Sequence, residues 1–255
     1  MKGSQTRLWC ESISLKYANE NGTLKVSPSL GQVNASIKGL AEPALLELKD
    51  RIESGSDRAL AVSNDAGKLE SVVCLFAKIG PKFGRLDLLS SNAGVSGVGT
   101  LFENITFDHQ QNIVNINLKG SFLCAQNIFR MLKNKQPLGR RIIKNGSISA
   151  HALRSSSAPY NSTKHVVTGV TKSISLDGRK RNIACVQINI GNALTELFAR
   201  MAESVLLVSG EIAIEPIMNA RKVADALIHM VVLPLATKVQ FMNIMATKMP
   251  NVEID

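Results

Sequence analysis

From about Leu40 onward the chain alternates segments patterned for helix with short runs patterned for strand. No other property of the sequence narrows the fold as far. Ala41 to Glu53 reads as a helix with apolar positions Leu45, Leu46, Leu48 and Ile52. Ala59 to Val62 is a β-prone run ending before Asp65. Leu69 to Phe83 reads as a second helix, with Val72, Val73, Phe76 and Ala77 on one face, and Gly84 stops it. Leu86-Asp87-Leu88-Leu89 follows as a short buried strand. The next helix opens near Thr106, with Asp108 suited to its first turn, and carries Ile113, Ile116, Phe122, Leu123, Ile128 and Leu132. Arg141-Ile142-Ile143 begins a strand. Ser157-Ala158-Pro159 opens a helix, because proline is tolerated at the first helical position, and Asp177-Gly178 ends it. Ile183 to Ile190 reads as a strand, Ala220 to Met230 as a helix and Val239 to Met245 as a final strand. Strands alternating with helices of this length imply parallel pairing and helices on both sheet faces. The expected class is therefore α/β, a doubly wound parallel sheet in three layers.

The first forty residues fit this pattern poorly. Leu8 to Cys10 and Thr23 to Val26 are weak strand candidates. No domain boundary is visible, so residues 1–255 are expected to form one domain with 1–40 atypical.

With 255 residues and 45% hydrophobic content, the chain can bury a sizeable core without disulfides or metal. A stapled mini-scaffold and whole-chain disorder are excluded. The longest apolar stretch, Met230 to Ala236, is far short of the roughly 20 residues of a membrane helix. The opening residues lack the apolar run of a signal peptide, so a cytoplasmic protein without membrane attachment is expected. Cys10, Cys74, Cys124 and Cys185 are widely separated, so reduced thiols and no metal site are expected. The Asn-x-Ser/Thr triplets at Asn145 and Asn161 read as chance matches. Net charge is +10, with a basic excess between Phe129 and Asn182 opposed only by Asp177. Those cations read as a solvated set of loop and helix-end residues. No aromatic-rich strand or binding motif accompanies them, so no nucleic-acid partner is expected.

The chemistry-bearing pair is Tyr160 and Lys164, four apart and so on one helix face. A lysine ammonium beside a tyrosine favours the phenolate form, which suits the pair to exchange a proton with an alcohol or carbonyl. Tyr-x-x-x-Lys alone often arises by chance, but this match has company. Ser147 ends the preceding strand. Asn92-Ala93-Gly94 follows the Leu86 strand. Asn117 lies on the next helix, and Gly191 and Thr195 follow the Ile183 strand. Each group falls at or beside the carboxyl end of a strand, where open α/β sheets bind ligands.

Taken with Gly84-Arg85-Leu86-Asp87, Asn115-Ile116-Asn117-Leu118-Lys119-Gly120, Gly146-Ser147-Ile148-Ser149, Tyr160-Asn161-Ser162-Thr163-Lys164 and Ile190-Gly191-Asn192-Ala193-Leu194-Thr195, the text resembles the short-chain dehydrogenase/reductase superfamily. It is most like the 3-oxoacyl-carrier-protein reductase type. The likeness runs from about Leu45 to Met249. It implies a single Rossmann-type domain that binds NAD(H) or NADP(H) and moves a hydride between nicotinamide and an alcohol or carbonyl carbon of a small molecule. Tyr160 would be the general acid/base. Lys164 would lower its pKa and bond the nicotinamide ribose. Ser147 would hold the substrate oxygen, and Asn117 would position a water in a relay to Lys164. Asp65 would lie near the adenine. Asn92, Ala93 and Gly94 would wall the adenosine ribose, and Ile190 and Thr195 would meet the carboxamide. Thr195 through Met201 and Val205 would form the substrate lid. The basic balance and the analogy favour NADP(H). A homodimer or homotetramer through the helices of Asn117 and Tyr160 is implied. Ser149, His151 and His165 receive no role.

The resemblance departs at one place that matters. A Thr-Gly-x-x-x-Gly-x-Gly turn is expected near Glu11 to Gly22, where the sequence has a single glycine. Such glycines bring backbone N–H groups to the cofactor pyrophosphate. Ile190 stands where a proline is usual, and Lys144 places a charge inside an apolar strand, which calls for a partner. The missing turn supports a rival reading, a catalytically silent Rossmann-like binder or scaffold. The assembled Ser147, Tyr160, Lys164 and Asn117 oppose it.

Overall fold

The computed structural model describes residues 34–39, 42–54, 58–83, 86–96, 99–131, 138–194, 205–206, 212–213 and 215–249. In chain order the elements are β1 (Asn34–Gly39), α1 (Glu42–Glu53), β2 (Arg58–Ser63), α2 (Leu69–Phe83), β3 (Leu88–Ser91), α3 (Phe107–Ile113), α4 (Ser121–Met131), β4 (Arg140–Asn145), α5 (Ala158–Asp177) and β5 (Ile183–Ile190). The short strands β6 (Ala193–Leu194), β7 (Val205–Leu206), β8 (Ile212–Ala213) and β9 (Met218–Asn219) follow. Helix α6 (Ala220–Val232) and strand β10 (Phe241–Ile244) complete the order.

Four strands form a parallel sheet in the order β10-β5-β4-β3. β1 and β2 pair in parallel through six residues, from Asn34 opposite Arg58 to Gly39 opposite Ser63. Parallel neighbours need crossover connections, and the helices between the strands supply them. Alternate residues of each strand serve opposite faces. On one face, Leu89, Ile142, Ile183 and Cys185 pack with Val62 of β2, with Val72, Leu75, Phe76 and Ile79 of α2, and with Cys124, Ala125 and Ile128 of α4. On the other, Leu88, Ile143, Val186 and Ile188 pack with Met230 of α6. This is the three-layer arrangement expected from the alternation, and it is of the Rossmann type that the resemblance implies.

Several local expectations need correction. The buried stripe of α2 is Val72, Leu75, Phe76 and Ile79, while Val73 is 44% exposed and Ala77 faces solvent. The stripe follows the i, i+3, i+4, i+7 spacing, and Val73 and Ala77 fall one step round the helix. Leu46 of α1 is exposed for the same reason. The helix opening at Thr106 is not continuous. Thr106 caps α3 by accepting from His109 N at 3.2 Å, and a π-helical turn, Val114–Gly120, then separates α3 from α4. β3 begins two residues later than its apolar run suggested. β1 lies inside the stretch that read poorly, and Leu8 to Cys10 and Thr23 to Val26 lie outside the described residues.

The basic residues are not simply a solvated set. Arg140, Arg141, Lys144 and Lys164 are buried. The Arg141 guanidinium donates to the carbonyls of Val231 at 3.1 Å and Leu233 at 2.9 Å, and to that of Met230. It thereby satisfies carbonyls that the end of α6 leaves unpaired. Lys144 has the partner its position demands, because its ammonium donates to the Ser121 carbonyl and, at 2.9 Å, to the Ser121 hydroxyl.

Candidate functional site

The carboxyl ends of β3, β4 and β5 lead into Asn92-Ala93-Gly94, Gly146-Ser147 and Gly191-Asn192 respectively. Register in the sheet brings these ends to one edge. Helix α5 crosses behind that edge and carries Tyr160 and Lys164.

Lys164 is 5% exposed, and its Nζ donates to the carbonyls of Asn145 at 3.0 Å and Gly146 at 3.2 Å. The same nitrogen lies 5.4 Å from the centroid of the half-buried Tyr160 ring. The ammonium is thus held by the strand end and set beside the tyrosine. The buried Ser147 hydroxyl accepts from Ser149 N at 3.1 Å and opens the short helical turn Ile148–Ala150. Accepting with a lone pair leaves the hydroxyl proton for another oxygen.

Asn117 sits in the π-helical turn and is 3% exposed. It accepts from Val95 N at 2.8 Å and donates to Val95 O at 3.0 Å and to the Thr163 hydroxyl at 3.3 Å. Thr163 in turn donates to Tyr160 O at 2.8 Å. The π turn therefore joins the segment that follows β3 to the face of α5 that carries the tyrosine. Gly94 lies against the same amide, and a Cβ there would meet Asn117 Oδ1 at 3.4 Å, an ordinary contact.

Asp65 follows β2 in a turn where its carboxylate accepts from Gly67 N at 2.9 Å. That turn packs on the π turn, because a Cβ on Gly120 would lie 2.8 Å from Ala66 O. Asp65 is therefore brought to the Asn117 segment. Asn145 donates to Asn92 Oδ1, linking the ends of β4 and β3. Ala93 is half-buried in the segment between Asn92 and Val95, and Ile190 ends β5 half-buried. Thr195 and Met201 lie outside the described residues, as does the Glu11 to Gly22 stretch. Val205 belongs to the antiparallel β7–β8 pair.

Sequence reasoning missed a row of buried side-chain amides under this edge. Gln187 Nε2 donates to the Thr168 hydroxyl at 2.9 Å and to Asn189 Oδ1 at 2.7 Å. Asn189 Nδ2 donates to Asn243 Oδ1 at 2.8 Å and lies 3.0 Å from His151 Nε2. Polar residues at alternate positions of an apolar strand, Gln187 and Asn189, were the available signal. Also missed was an ion pair between Arg154 and Glu215 at 2.5 Å, shared with Asn192.

The short chain dehydrogenase family matches the chain over residues 32–205. A 3beta-hydroxysteroid dehydrogenase of Mediterraneibacter gnavus is 30% identical over 149 residues, covering 58% of this chain and 53% of that protein. The chain thus spans about half the length of that curated relative. A putative short-chain alcohol dehydrogenase from Sinorhizobium meliloti superposes with a TM-score of 0.61 at 26% identity, covering 66% of each chain. An alcohol dehydrogenase from Thermococcus sibiricus, solved with 5-hydroxy-NADP, shares the fold with a TM-score of 0.68 at 16% identity, over 82% of this chain and 84% of that one.

Proposed function

The chain belongs to the short-chain dehydrogenase family, and on that footing we propose that it is an NAD(P)-dependent oxidoreductase acting on an alcohol or carbonyl group of a small molecule. The observation that carries this reading is the Lys164 ammonium, fixed on the carbonyls of Asn145 and Gly146 and set beside the Tyr160 ring. Ser147 follows directly on those two residues.

The residues present fit a dinucleotide. Asn145 Oδ1 and Asn64 Oδ1 are buried acceptors with no hydrogen-bond partner among the described residues. Both lie just at the carboxyl ends of their strands, and ribose hydroxyls are donors that would satisfy them. Asp65, Asn92, Ala93 and Gly94 would hold the adenosine half, while Tyr160, Lys164, Ile190 and Thr195 would hold the nicotinamide half. When bound, the nicotinamide carries the hydride to or from the substrate carbon. Tyr160 holds, at its phenolic oxygen, the proton that the substrate oxygen takes on reduction and returns on oxidation. The Ser147 hydroxyl orients that oxygen and stabilises charge developing on it. Lys164 sets a cationic group beside the phenol, and Asn117 holds the helix carrying both residues against the segment that follows β3.

The finer assignments belong to the same proposal. A net charge of +10 supports NADP(H) over NAD(H). Exposed Phe122 on α4 and Val166 on α5 support self-association through those helices, as a dimer or tetramer. A single domain, a cytoplasmic location and the absence of a nucleic-acid partner complete the reading. Among the described residues, no helix is long and apolar enough to cross a membrane.

The test is a titration with NADPH and, separately, NADH, following nicotinamide fluorescence. Saturable binding is expected, tighter for NADPH. No binding of either at millimolar concentration would remove the proposal.

A further inference from the structure

Two segments run side by side at the carboxyl edge of the sheet. One is the stretch from Ser147 to the first turn of α5, and the other is the end of β5 with the turn that follows it. Side chains join them at two rungs three residues apart. His151 Nε2 lies 3.0 Å from Asn189 Nδ2, and Arg154 Nη2 donates to Asn192 Oδ1 at 3.0 Å.

The second rung carries charge. Arg154 Nη2 also donates to Glu215 Oε2 at 2.5 Å, and Asn192 Nδ2 donates to the same oxygen at 2.7 Å. Three side chains from three separate segments therefore close a ring of hydrogen bonds. The Arg154 and Glu215 side chains are only 20% and 14% exposed, and Asn192 is 4% exposed. At that burial a charge-assisted pair is screened far less than one at the surface.

The backbone of Arg154 reaches the other way. Its carbonyl accepts from Asn161 Nδ2 at 2.8 Å, and Asn161 is the residue after Tyr160. On the far side, Asn192 stands two residues beyond Ile190. Its carbonyl accepts from Met218 N at 2.9 Å, and the neighbouring Gly191 N donates to Ile244 O at 2.8 Å. Arg154 thus spans from the start of α5 to the turn that ends β5.

We infer that Arg154 is a positioning residue that, through Asn192 and Glu215, fixes the spacing between Tyr160 and the Ile190–Asn192 turn, and so shapes the nicotinamide end of the cofactor site. The inference rests on the dinucleotide reading above. It concerns one end of the cofactor only. The Asp65 turn and Asn92 share no hydrogen bond with Arg154, Asn192 or Glu215 among the described residues, so the adenosine end is independent of the ring.

That asymmetry supplies the experiment. Arg154→Met, Arg154→Lys and Glu215→Gln are titrated with NADPH and NADH, and with the same cofactors lacking nicotinamide, namely 2′-phospho-ADP-ribose and ADP-ribose. Arg154→Met is expected to weaken the tighter intact cofactor by about tenfold or more, the scale of a lost hydrogen bond to a charged group. Affinity for the matching truncated ligand is expected to stay within about twofold, since no bond near its site is lost. Glu215→Gln is expected to move the same ratio by a smaller amount, and Arg154→Lys to recover part of it. A general loss of structure would weaken intact and truncated ligands alike, and that outcome overturns the inference. So does an Arg154→Met or Glu215→Gln protein in which neither ligand weakens. If the unaltered protein binds neither NADPH nor NADH, the oxidoreductase proposal itself falls and this inference falls with it.

Discussion

The Lys164 ammonium lies 3.0 Å from the carbonyl oxygen of Asn145, so the last residue of β4 holds the residue one turn beyond Tyr160. A charge so placed is anchored by backbone and cannot swing away from the ring beside it. Tyr160→Phe keeps that ring and that anchor while removing the phenolic oxygen. Turnover is expected to fall by about 10²–10⁴, the usual worth of a positioned acid/base. Affinity for NAD(P)H should change little. Steady-state rates and nicotinamide fluorescence on the same preparations check both halves, and an active phenylalanine variant would refute the proposed role.

Asn117→Ala would strip both backbone partners from Val95. A buried N–H and a buried C=O would be left unpaired, at about 1–3 kcal/mol each. A stability loss of at least about 2 kcal/mol is expected from urea denaturation. A variant as stable as the unaltered protein would show that water or a shifted backbone takes over these bonds.

Gly146 lies against the amide row. A Cβ there would lie 2.6 Å from Gln187 Nε2 and collide with Asn189 Oδ1. Gly146→Ala is expected to cost about 1–3 kcal/mol by overpacking. It should also lower turnover, because Gly146 O is one of the two acceptors for Lys164. Thermal unfolding and rate measurements together give the test, and an unchanged melting temperature would contradict it.

Burial pushes the Cys185 thiol from 9.0 up to about 11, against the opposing charges of Lys144 and Lys238. The folded state therefore favours the protonated thiol. Its contribution to stability is complete below pH 9 and is lost as the pH climbs through about 11, because only the unfolded chain ionises readily in that window. Denaturation of the protein and of Cys185→Ala between pH 7 and 10.5 should show the steeper decline in the protein that keeps the thiol. At neutral pH, iodoacetamide should label the exposed Cys74 and spare Cys124 and Cys185 in the folded protein, as read by peptide mass spectrometry.

What could be read without coordinates was whatever periodicity encodes. The α2 and β5 boundaries match their apolar patterns to the residue, because each pattern is long and cleanly terminated. Tyr160, Lys164, Ser147 and Asn117 were legible by residue type and spacing. β1 was not, since Asn34 to Gly39 has one large apolar residue, Ile37, and only its pairing with β2 defines it. The π turn escaped because it leaves the apolar spacing of the helix nearly intact. Arg154, Asn192 and Glu215 come from three segments, and no local pattern announces a ring that closes only in space.

The amide row beneath the edge has a direction. The Thr171 hydroxyl donates to Gln187 Oε1, and Gln187 donates one proton back to Thr168 of the same helix and the other on to Asn189, which donates to Asn243. An amide nitrogen only donates, so in this direction the His151 Nε2, 3.0 Å from Asn189 Nδ2, is placed to accept at the end of the row. Reversing that direction would require Asn189, Gln187 and the threonine hydroxyls to turn over in concert. The sheet interior thus keeps a row of donors and acceptors that is tied to α5 at Thr168 and Thr171 and runs out to an exposed histidine.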